Sequence, residues 1–187
     1  MPLTKTKFRH NCLDKVKSTP KHNLLYRNKI LNQALMQELK ELKNKKILFY
    51  YPLGFEANIL DSLITKRKNC ELFIPFMEGE SFKMVPFRLP LKKKKFGIYE
   101  AGNTIRNIKK IDIAIVPAVG VDGNLQRIGF GKGMYDRFFA KLRKKPYTIF
   151  VQSRLCYTRE NLCDHYDVAA DILLAPRTKI KNSSRIK

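Results

Sequence analysis

The segment from Arg127 to Gly133 combines two cations with closely spaced glycines. Arg127 opens the segment, and Lys132 lies among three glycines at alternate positions, Gly129, Gly131 and Gly133. Five of the nine glycines in the chain fall between positions 120 and 133. Glycines allow backbone N–H groups to point at an anion, and the side-chain cations balance its charge. The segment predicts a phosphate-binding loop; the alternative is a flexible surface loop with incidental glycines.

The sequence around this loop predicts a strand before it and a helix after it. Residues 111–116 are mostly apolar, which is typical of a buried strand, and residues 134–142 favour a helix. A helix N-terminus adds a partial positive charge of about +0.5, which favours a bound anion. The loop matches neither common phosphate motif. Gly133 rather than Ser or Thr follows Lys132, and the glycines are spaced GxGxG.

Three carboxylates are candidates for chemistry near this loop. Glu56 follows the first predicted strand, Asp136 lies early in the helix after the loop, and Asp171 opens the last predicted strand. Ligands of open α/β sheets bind beyond the carboxyl ends of the strands, so we expect these groups to converge there. Taken alone, Asp136 is better explained as a first-turn carboxylate that the helix dipole favours. A second carboxylate from Asp171 would instead make a Mg²⁺ site on a nucleotide.

Hydrophobic periodicity predicts the elements that position these residues. The predicted helices cover 5–17, 22–43, 56–66 and 134–142, and the predicted strands cover 46–51, 70–75, 81–88, 111–116, 147–151 and 171–175. The strand at 81–88 alternates in polarity and is predicted to be exposed. Strands that alternate with helices predict parallel βαβ units. We expect one three-layer α/β domain over residues 1–187, with a mainly parallel sheet, helices on both faces and a frayed basic tail from about residue 177.

Composition limits the class of protein and its partners. The chain has 38 Lys and Arg against 16 Asp and Glu, a formal net charge of +22, which favours anionic partners. A nucleic-acid-binding protein is therefore one hypothesis, although no RNP, zinc-finger or helix-turn-helix signature is visible. Four cysteines form no CxxC pair, so we expect reduced thiols and a cytoplasmic protein. No secretory signal or membrane-spanning run is visible.

The loop and its neighbours resemble one known enzyme family. Residues 127–137, RIGFGKGMYDR, resemble the R-L-G-x-G-x-G-Y-Y-D signature of the 5-formyltetrahydrofolate cyclo-ligase family, also called methenyltetrahydrofolate synthetases. Weaker segments agree in sequence order: Lys5-x-x-x-Arg9, residues 51–56 (YPLGFE), residues 96–100 (FGIYE) and Asp167-x-x-x-Asp171. The resemblance covers nearly the whole chain.

This resemblance implies an ATP-dependent ligase that converts 5-formyltetrahydrofolate, with or without a polyglutamate tail, to 5,10-methenyltetrahydrofolate. Lys132, Arg127 and Glu56 would be catalytic, and Asp136 and Asp171 would bind Mg²⁺. The implied ATP contacts are Lys5, Arg9, Arg127, Ile128, Gly129, Phe130, Gly131, Lys132, Gly133, Met134 and Tyr135. The implied folate contacts are Tyr51, Glu56, Phe130, Gly131, Lys132, Gly133 and Met134.

The sequence also departs from the family pattern. Met134 stands in place of the first of two tyrosines, which removes one phenol, and Ala175-Pro176 stands where the family usually has Thr-Glu. None of these changes removes a predicted phosphate or metal group. A relative that binds ATP without ligase activity is therefore an alternative. We expect a monomer in the cytoplasm, with no membrane and no specific nucleic acid as partner.

Overall fold

The structure is a computed structural model that describes residues 2–94, 99–105, 108 and 110–183. The predicted strand-helix-strand order is observed over residues 46–78 and, with a hairpin inserted, over residues 113–151, while strands follow one another over most of the remaining sheet-forming length. In chain order the helices and strands are α1 Lys5–Lys17, α2 Lys21–Glu38, β1 Lys46–Leu48, α3 Leu60–Lys66, β2 Glu71–Glu78, β3 Ser81–Pro86, β4 Lys92–Lys93, β5 Tyr99–Glu100, β6 Ile113–Pro117, β7 Gly120–Val121, β8 Arg127–Ile128, α4 Met134–Ala140, β9 Tyr147–Val151, β10 Ile172–Ala175 and β11 Thr178–Lys181.

Seven of the strands form one sheet in the order β11-β10-β9-β6-β1-β2-β3. The five central strands pair in parallel, while β11 and β3 pair antiparallel at the two edges. Ile115 of β6 lies opposite Ile149 of β9 in the register of the central pair. The predicted mainly parallel sheet is confirmed, and the carboxyl ends of β1, β6, β9 and β10 lie at one edge.

Apolar side chains cover both faces of this sheet. On one face, residues of α2 and α3 pack on the central strands: Leu31, Leu35, Leu63, Ile47, Ile115 and Ile149. On the other face, α4 packs through two aromatic rings: Phe138, Phe139, Val116, Phe150 and Leu173. Both sets are almost fully buried, so the hydrophobic effect drives each helix layer onto the sheet. The predicted helices on both faces are therefore confirmed.

Helix α1 lies against the β7–β8 hairpin and has the predicted bounds. Thr4 caps its first turn by accepting a hydrogen bond from the Lys7 N–H. Phe8 is buried against the hairpin, where a Cβ at Gly120 would come within 2.8 Å of its ring. Glycine at position 120 therefore lets the N-terminal helix approach the hairpin closely.

Two other helices are shorter than predicted. α2 ends at Glu38 rather than at position 43, because the chain turns and Asn44 takes a positive φ of 54°. α3 begins at Leu60 rather than at position 56, because the Glu56 carboxylate folds back to accept the Leu53 N–H. The second difference places Glu56 in a turn rather than on a helix.

Two predictions at the sheet edges are wrong. The strand predicted at 81–88 is observed as β3, but most of its residues are buried rather than exposed. Helix α4 covers it, and the stacked rings of Phe82 and Phe138 have centres 4.3 Å apart. The tail is ordered as β11 through Lys181, because it pairs antiparallel with β10. Within the described part of the chain, no helix is long and apolar enough to span a bilayer.

Candidate functional site

The glycine loop follows a hairpin rather than a strand directly. β6 ends at Pro117, the β7–β8 hairpin intervenes, and residues 129–133 then lead into α4. Gly131 and Gly133 have φ values of +93° and +57°, in the left-handed region that side chains disfavour. Gly133 is also the N-cap residue of α4. The backbone at these two positions needs a conformation that glycine adopts more easily than other residues. This requirement argues against a loop with incidental glycines.

Arg127 is buried beneath the loop rather than extended from it. Its Nε donates to the Pro117 carbonyl at 2.8 Å, and its guanidinium carbon lies 4.7 Å from the centre of the Tyr135 ring. A Cβ at Gly129 would overlap the same guanidinium, so glycine there makes room for it. The backbone and an aromatic ring thus hold a permanent positive charge under the loop.

Glu56 lies in the turn after β1 and carries an unusual carboxyl group. Its Oε2 accepts the Leu53 N–H at 2.9 Å. Burial raises its pKa to about 7, and this effect outweighs the Leu53 hydrogen bond and the Arg127 charge, which lower the pKa. Glu56 can therefore gain or lose a proton near neutral pH, as a general acid or base requires.

Two tyrosines respond to the charge on Glu56. Burial raises the pKa of both Tyr50 and Tyr135, and the Glu56 carboxylate raises each further. The Tyr50 hydroxyl donates to the Ala57 carbonyl at 2.5 Å, next to Glu56 in sequence. Glu56, Arg127 and the two phenols are thus electrostatic neighbours, and both phenols stay protonated at neutral pH.

An apolar cavity of about 220 Å³ opens beside Glu56. Its walls come from α1, from the turn before α3, and from the segments after β6 and β9. They include Leu13, Val16, Phe55, Glu56, Ala118, Val119, Phe130 and Gln152. The ring centres of Phe55 and Phe130 lie 4.8 Å apart, so the glycine loop contacts the turn that carries Glu56. This contact joins two segments that the sequence predicts to serve one site.

The two predicted cations of α1 contact the site in different ways. Arg9 donates through Nε to the Gly129 carbonyl at 2.8 Å, which places it on the glycine loop. Lys5 bonds instead to Asp167 and lies 3.5 Å from Asp164. Burial lowers the pKa of Lys5, but the hydrogen bond and charge of Asp167 outweigh this effect and raise it overall. Both cations are held in place before any ligand arrives.

The other predicted contact residues differ in exposure. Ile128 is fully buried in the cluster beneath α1, so only its backbone is available to a ligand. Phe130 and Lys132 are exposed, and Met134 is partly buried against the α4 core. Tyr51 lies three residues after β1, and the centre of its ring is 5.0 Å from that of Tyr99. Residues 96–98 of the segment that resembles the family lie outside the described residues.

The two predicted metal ligands do not converge as expected. Asp171 precedes β10, and its carboxylate accepts the Thr148 N–H at 2.6 Å, near the start of β9. It therefore lies at the amino edge of the sheet, so the prediction that it reaches the carboxyl edge is wrong. Asp136 accepts the Val168 N–H at 3.1 Å through Oδ1, and its Oδ2 lies on the Gly133 side. In the described ranges, no cluster of three or more His, Cys, Asp or Glu residues forms a metal centre.

One buried carboxylate that sequence reasoning missed organises the segments around the loop. Asp122 is fully buried and accepts four backbone N–H groups: those of Asn124, Gln126, Leu162 and Cys163. It ties the β7–β8 turn to the chain that carries Asp164 and Asp167. The Asp-Gly-Asn sequence at 122–124 signals a turn, but no sequence signal reveals the two distant donors.

The cysteines differ from the expectation of four thiols. Cys12 of α1 and Cys156, which follows β9, form a disulfide, while Cys70 and Cys163 are free. The helix that carries Lys5 and Arg9 is thereby linked covalently to the segment after β9, whose residues 152–154 line the cavity. Sequence spacing could not reveal this pair, because 144 positions separate its members. Reduced thiols therefore no longer support a cytoplasmic location.

Reduction of this disulfide is expected to destabilise the fold. A cross-link over so long a loop contributes roughly 2–5 kcal/mol by restricting the unfolded chain. In a chain of this length, that difference lowers Tm by about 5–15 °C. Calorimetry with and without a thiol reductant measures the shift, and the Cys12→Ser/Cys156→Ser variant should not respond to reductant. Equal Tm values for the oxidised and reduced protein would contradict the disulfide.

Comparisons with known proteins agree with this arrangement. The family model for the 5-formyltetrahydrofolate cyclo-ligase family matches residues 4–176. The chain is 26% identical, over 77% of its length and 83% of the relative's, to a protein of Haemophilus influenzae named 5-formyltetrahydrofolate cyclo-ligase. A protein of the same name from Mycoplasma pneumoniae is 25% identical, over 70% of this chain and 72% of the relative.

A solved structure shares the fold across almost the whole chain. The 5,10-methenyltetrahydrofolate synthetase of Aquifex aeolicus has a TM-score of 0.76 at 23% identity, over 99% of this chain and 96% of that one. The family model covers far more than half of the chain and includes every predicted site residue. The predicted family and the predicted enzyme class, a ligase, are thus confirmed: the chain belongs to the 5-formyltetrahydrofolate cyclo-ligase family.

Proposed function

We propose that this protein converts 5-formyltetrahydrofolate to 5,10-methenyltetrahydrofolate and couples the reaction to cleavage of ATP into ADP and phosphate. The observation that carries the proposal is the contact of the glycine loop with both halves of the site. Arg9 reaches the Gly129 carbonyl on one side, and Phe55 meets Phe130 beside Glu56 on the other. A nucleotide held by the loop would therefore lie next to a substrate held at Glu56.

The reaction can be divided into two balanced steps. In the first, the formyl oxygen attacks the γ-phosphorus of ATP, and the bond to ADP breaks. In the second, N10 of the folate attacks the formyl carbon, the five-membered ring closes, and the phosphorylated oxygen leaves as phosphate. The proton on N10 must leave as the ring forms. Phosphorylation turns a poor leaving group into a good one, and the second step is intramolecular, which gives effective molarities of about 10⁵–10⁸ M.

Glu56 is proposed to accept the N10 proton. A carboxyl group with a pKa of about 7 is partly ionised at neutral pH and can take a proton in the transition state. Its low-dielectric surroundings make it a stronger base than a solvent-exposed glutamate. Tyr51 lies in the same segment after β1 and is proposed to line the folate pocket.

The cations are proposed to stabilise the transferring phosphoryl group. Arg127 is fixed by the Pro117 carbonyl and the Tyr135 ring, so its charge needs no reorganisation during the reaction. Lys132 and Arg9 belong to the loop side of the site, and the loop N–H groups from Gly129 to Tyr135 are the proposed contacts of ATP. Positioning and charge, rather than a protein nucleophile, then lower the barrier.

Asp136 fits a Mg²⁺ ion bound to the nucleotide, whereas Asp171 does not. Mg²⁺ commonly takes one or two protein carboxylates and completes its octahedron with phosphate oxygens and water. One oxygen of Asp136 is held by the Val168 N–H, and the other lies on the side of Gly133 in the loop. When bound, the ion would neutralise phosphate charge. The cytoplasmic location of the enzyme remains a prediction.

Loss of the loop cation tests the phosphoryl-transfer assignment. We expect Lys132→Ala to lower kcat by about 10–10²-fold, because an exposed and partly screened cation contributes less than a buried donor. The rise in near-ultraviolet absorbance of the methenyl product measures turnover with ATP and Mg²⁺, and Lys141→Ala on the exposed end of α4 is the control. A flat trace for the unmodified protein beside an active relative would instead support ATP binding without ligase activity.

A further inference from the structure

The disulfide between Cys12 and Cys156 joins two walls of the cavity beside Glu56. These walls are formed by Leu13, Val16 and Lys17 of α1, and by Gln152, Ser153 and Arg154 of the segment after β9. Cys12 directly precedes the first of these residues, and Cys156 stands two positions after the last. The bond therefore ties together two surfaces that a ligand in the cavity would contact.

Other contacts hold the two halves of α1 unequally. Arg9 anchors the first half to the glycine loop, and Phe8 is buried against the β7–β8 hairpin. At the other end, Arg154 donates through Nη1 to the Lys15 carbonyl at 2.9 Å and to the Thr19 hydroxyl at 3.1 Å. Arg154 is partly exposed, so water competes for both bonds. Opening the disulfide would thus loosen the half of α1 that lines the cavity more than the half that contacts the loop.

The segment on the other side of the disulfide is held by a buried glutamine. Gln152 Oε1 accepts the Cys156 N–H at 2.9 Å, and its Nε2 donates to the carbonyls of Cys156 and Val119 at 3.2 and 3.3 Å. All three bonds are buried and remain when the disulfide opens. Helix α1 is therefore the wall that gains freedom.

We propose that Cys12 and Cys156 form a redox switch of substrate affinity, in which the disulfide favours binding in the cavity and the two thiols weaken it. The inference rests on the proposed function, because it places the folate in the cavity beside Glu56. The reductant is a dithiol. One of its thiolates attacks a sulfur of the pair, and the other cysteine leaves as a thiolate and takes up a proton. The second thiol of the reductant then displaces the first cysteine, so the protein gains two thiols and the reductant becomes a disulfide.

A third sulfur lies near the pair but does not disturb it. Cys163 packs against the same buried cluster as Cys12 and Cys156. Burial raises the pKa of the Cys163 thiol, and the Asp122 carboxylate raises it further, so the thiol stays protonated at neutral pH. A thiol without thiolate character does not attack a disulfide, so the pairing of Cys12 with Cys156 is retained.

The switch acts through the freedom of α1 before the ligand arrives. With the disulfide closed, the wall is already in place, whereas in the reduced protein its side chains lose conformational freedom on binding, which weakens affinity. Both cysteines are almost fully buried, so a reductant reaches them when α1 moves away from the cavity. A ligand that holds α1 in place should therefore protect the bond. By linkage, the factor by which reduction weakens binding equals the factor by which the bound ligand disfavours reduction.

The test measures Kd for 5-formyltetrahydrofolate by titration calorimetry, without ATP and well below Tm, on the oxidised and the dithiol-reduced protein. Alkylation of the denatured chain verifies the state, since the oxidised protein takes two labels and the reduced protein four. We expect reduction to raise Kd about tenfold, the cost of ordering one or two side chains, and to speed amide hydrogen exchange at residues 13–17. Equal Kd values in the two states would overturn the proposal even if Tm differs, because a purely structural cross-link changes stability alone.

Two variants separate the disulfide from other effects of the reductant. Cys12→Ala/Cys156→Ala should bind the folate as weakly as the reduced protein and should not respond to the dithiol. Cys70→Ser removes a free thiol outside the cavity lining and should keep the full response. A double variant that binds as tightly as the oxidised protein would contradict the switch. Absence of methenyl product from the oxidised protein with ATP, together with the tenfold shift in Kd, would contradict the proposed function and still support the switch.

Discussion

The Asp136→Asn variant is expected to lose about 10²–10³-fold in the rate of methenyl formation, the cost of removing one preorganised charged group from a site of this kind. Asparagine keeps the oxygen that accepts the Val168 N–H, so the start of α4 should stay in place. What disappears is the negative charge beside the loop, which the proposed Mg²⁺ ion requires. The loss should be partly offset at high Mg²⁺ concentration, and a titration of turnover against Mg²⁺ measures this.

Two control variants separate this charge effect from other effects of removing an aspartate. Asp61 lies in the first turn of α3, as Asp136 lies in the first turn of α4, and both helices have seven residues. Asp61→Asn therefore removes the same kind of helix-dipole interaction at a position away from the site. Asp171→Asn alters the carboxylate that holds the Thr148 N–H at the amino edge. Both controls should keep turnover within about threefold of the unmodified protein. Near-normal turnover in Asp136→Asn, or a loss in Asp171→Asn as large, would contradict the assignment.

Glu56→Gln is expected to lower kcat by about 10²-fold or more, because the N10 proton loses its acceptor. In the unmodified protein the rate should rise with pH through about 7, where burial places the pKa of Glu56. The variant should lose this inflection as well as the rate, while any titration of the nucleotide itself remains. A pH profile of kcat for both proteins measures the difference. Glu71→Gln, at an exposed position at the start of β2, is the control.

The same residue should also shift the dependence of stability on pH. The folded pKa of Glu56 lies above its ordinary value of 4.5, so the folded state binds more protons than the unfolded state between pH 4.5 and about 7. Stability should therefore fall as pH rises through that window. Glu56→Gln should remove this part of the fall and unfold at a higher temperature than the unmodified protein above pH 7. If Tm of the two proteins changes in parallel with pH, Glu56 does not have a raised pKa.

The sequence predicts the main architecture because local pattern and tertiary packing agree there. The apolar run at 111–116 and the leucines of α2 have the periodicity of their observed elements, and parallel pairing follows from the βαβ order. The loop could be predicted as well, since Gly131 and Gly133 meet a backbone demand that glycine alone meets easily.

Contacts between distant segments could not be predicted, because nothing local encodes them. Asp171 was expected at the carboxyl edge of the sheet, where ligands bind. Because it stands just before the first residue of β10, it lies instead at the amino edge, beside Thr148. The disulfide of Cys12 with Cys156 and the bond of Lys5 to Asp167 depend on how α1 folds over the hairpin. The raised pKa of Glu56 similarly requires burial by segments far away in the sequence.

Transfer of the formyl oxygen to phosphate is the most direct test of the proposed mechanism. The substrate is prepared with ¹⁸O in its formyl group and converted with ATP and Mg²⁺, and the released phosphate is analysed by mass spectrometry. Because phosphorylation of the formyl oxygen precedes its departure, the account predicts one ¹⁸O atom in each phosphate released with product. Methenyl product with unlabelled phosphate, and ¹⁸O in water instead, would contradict it.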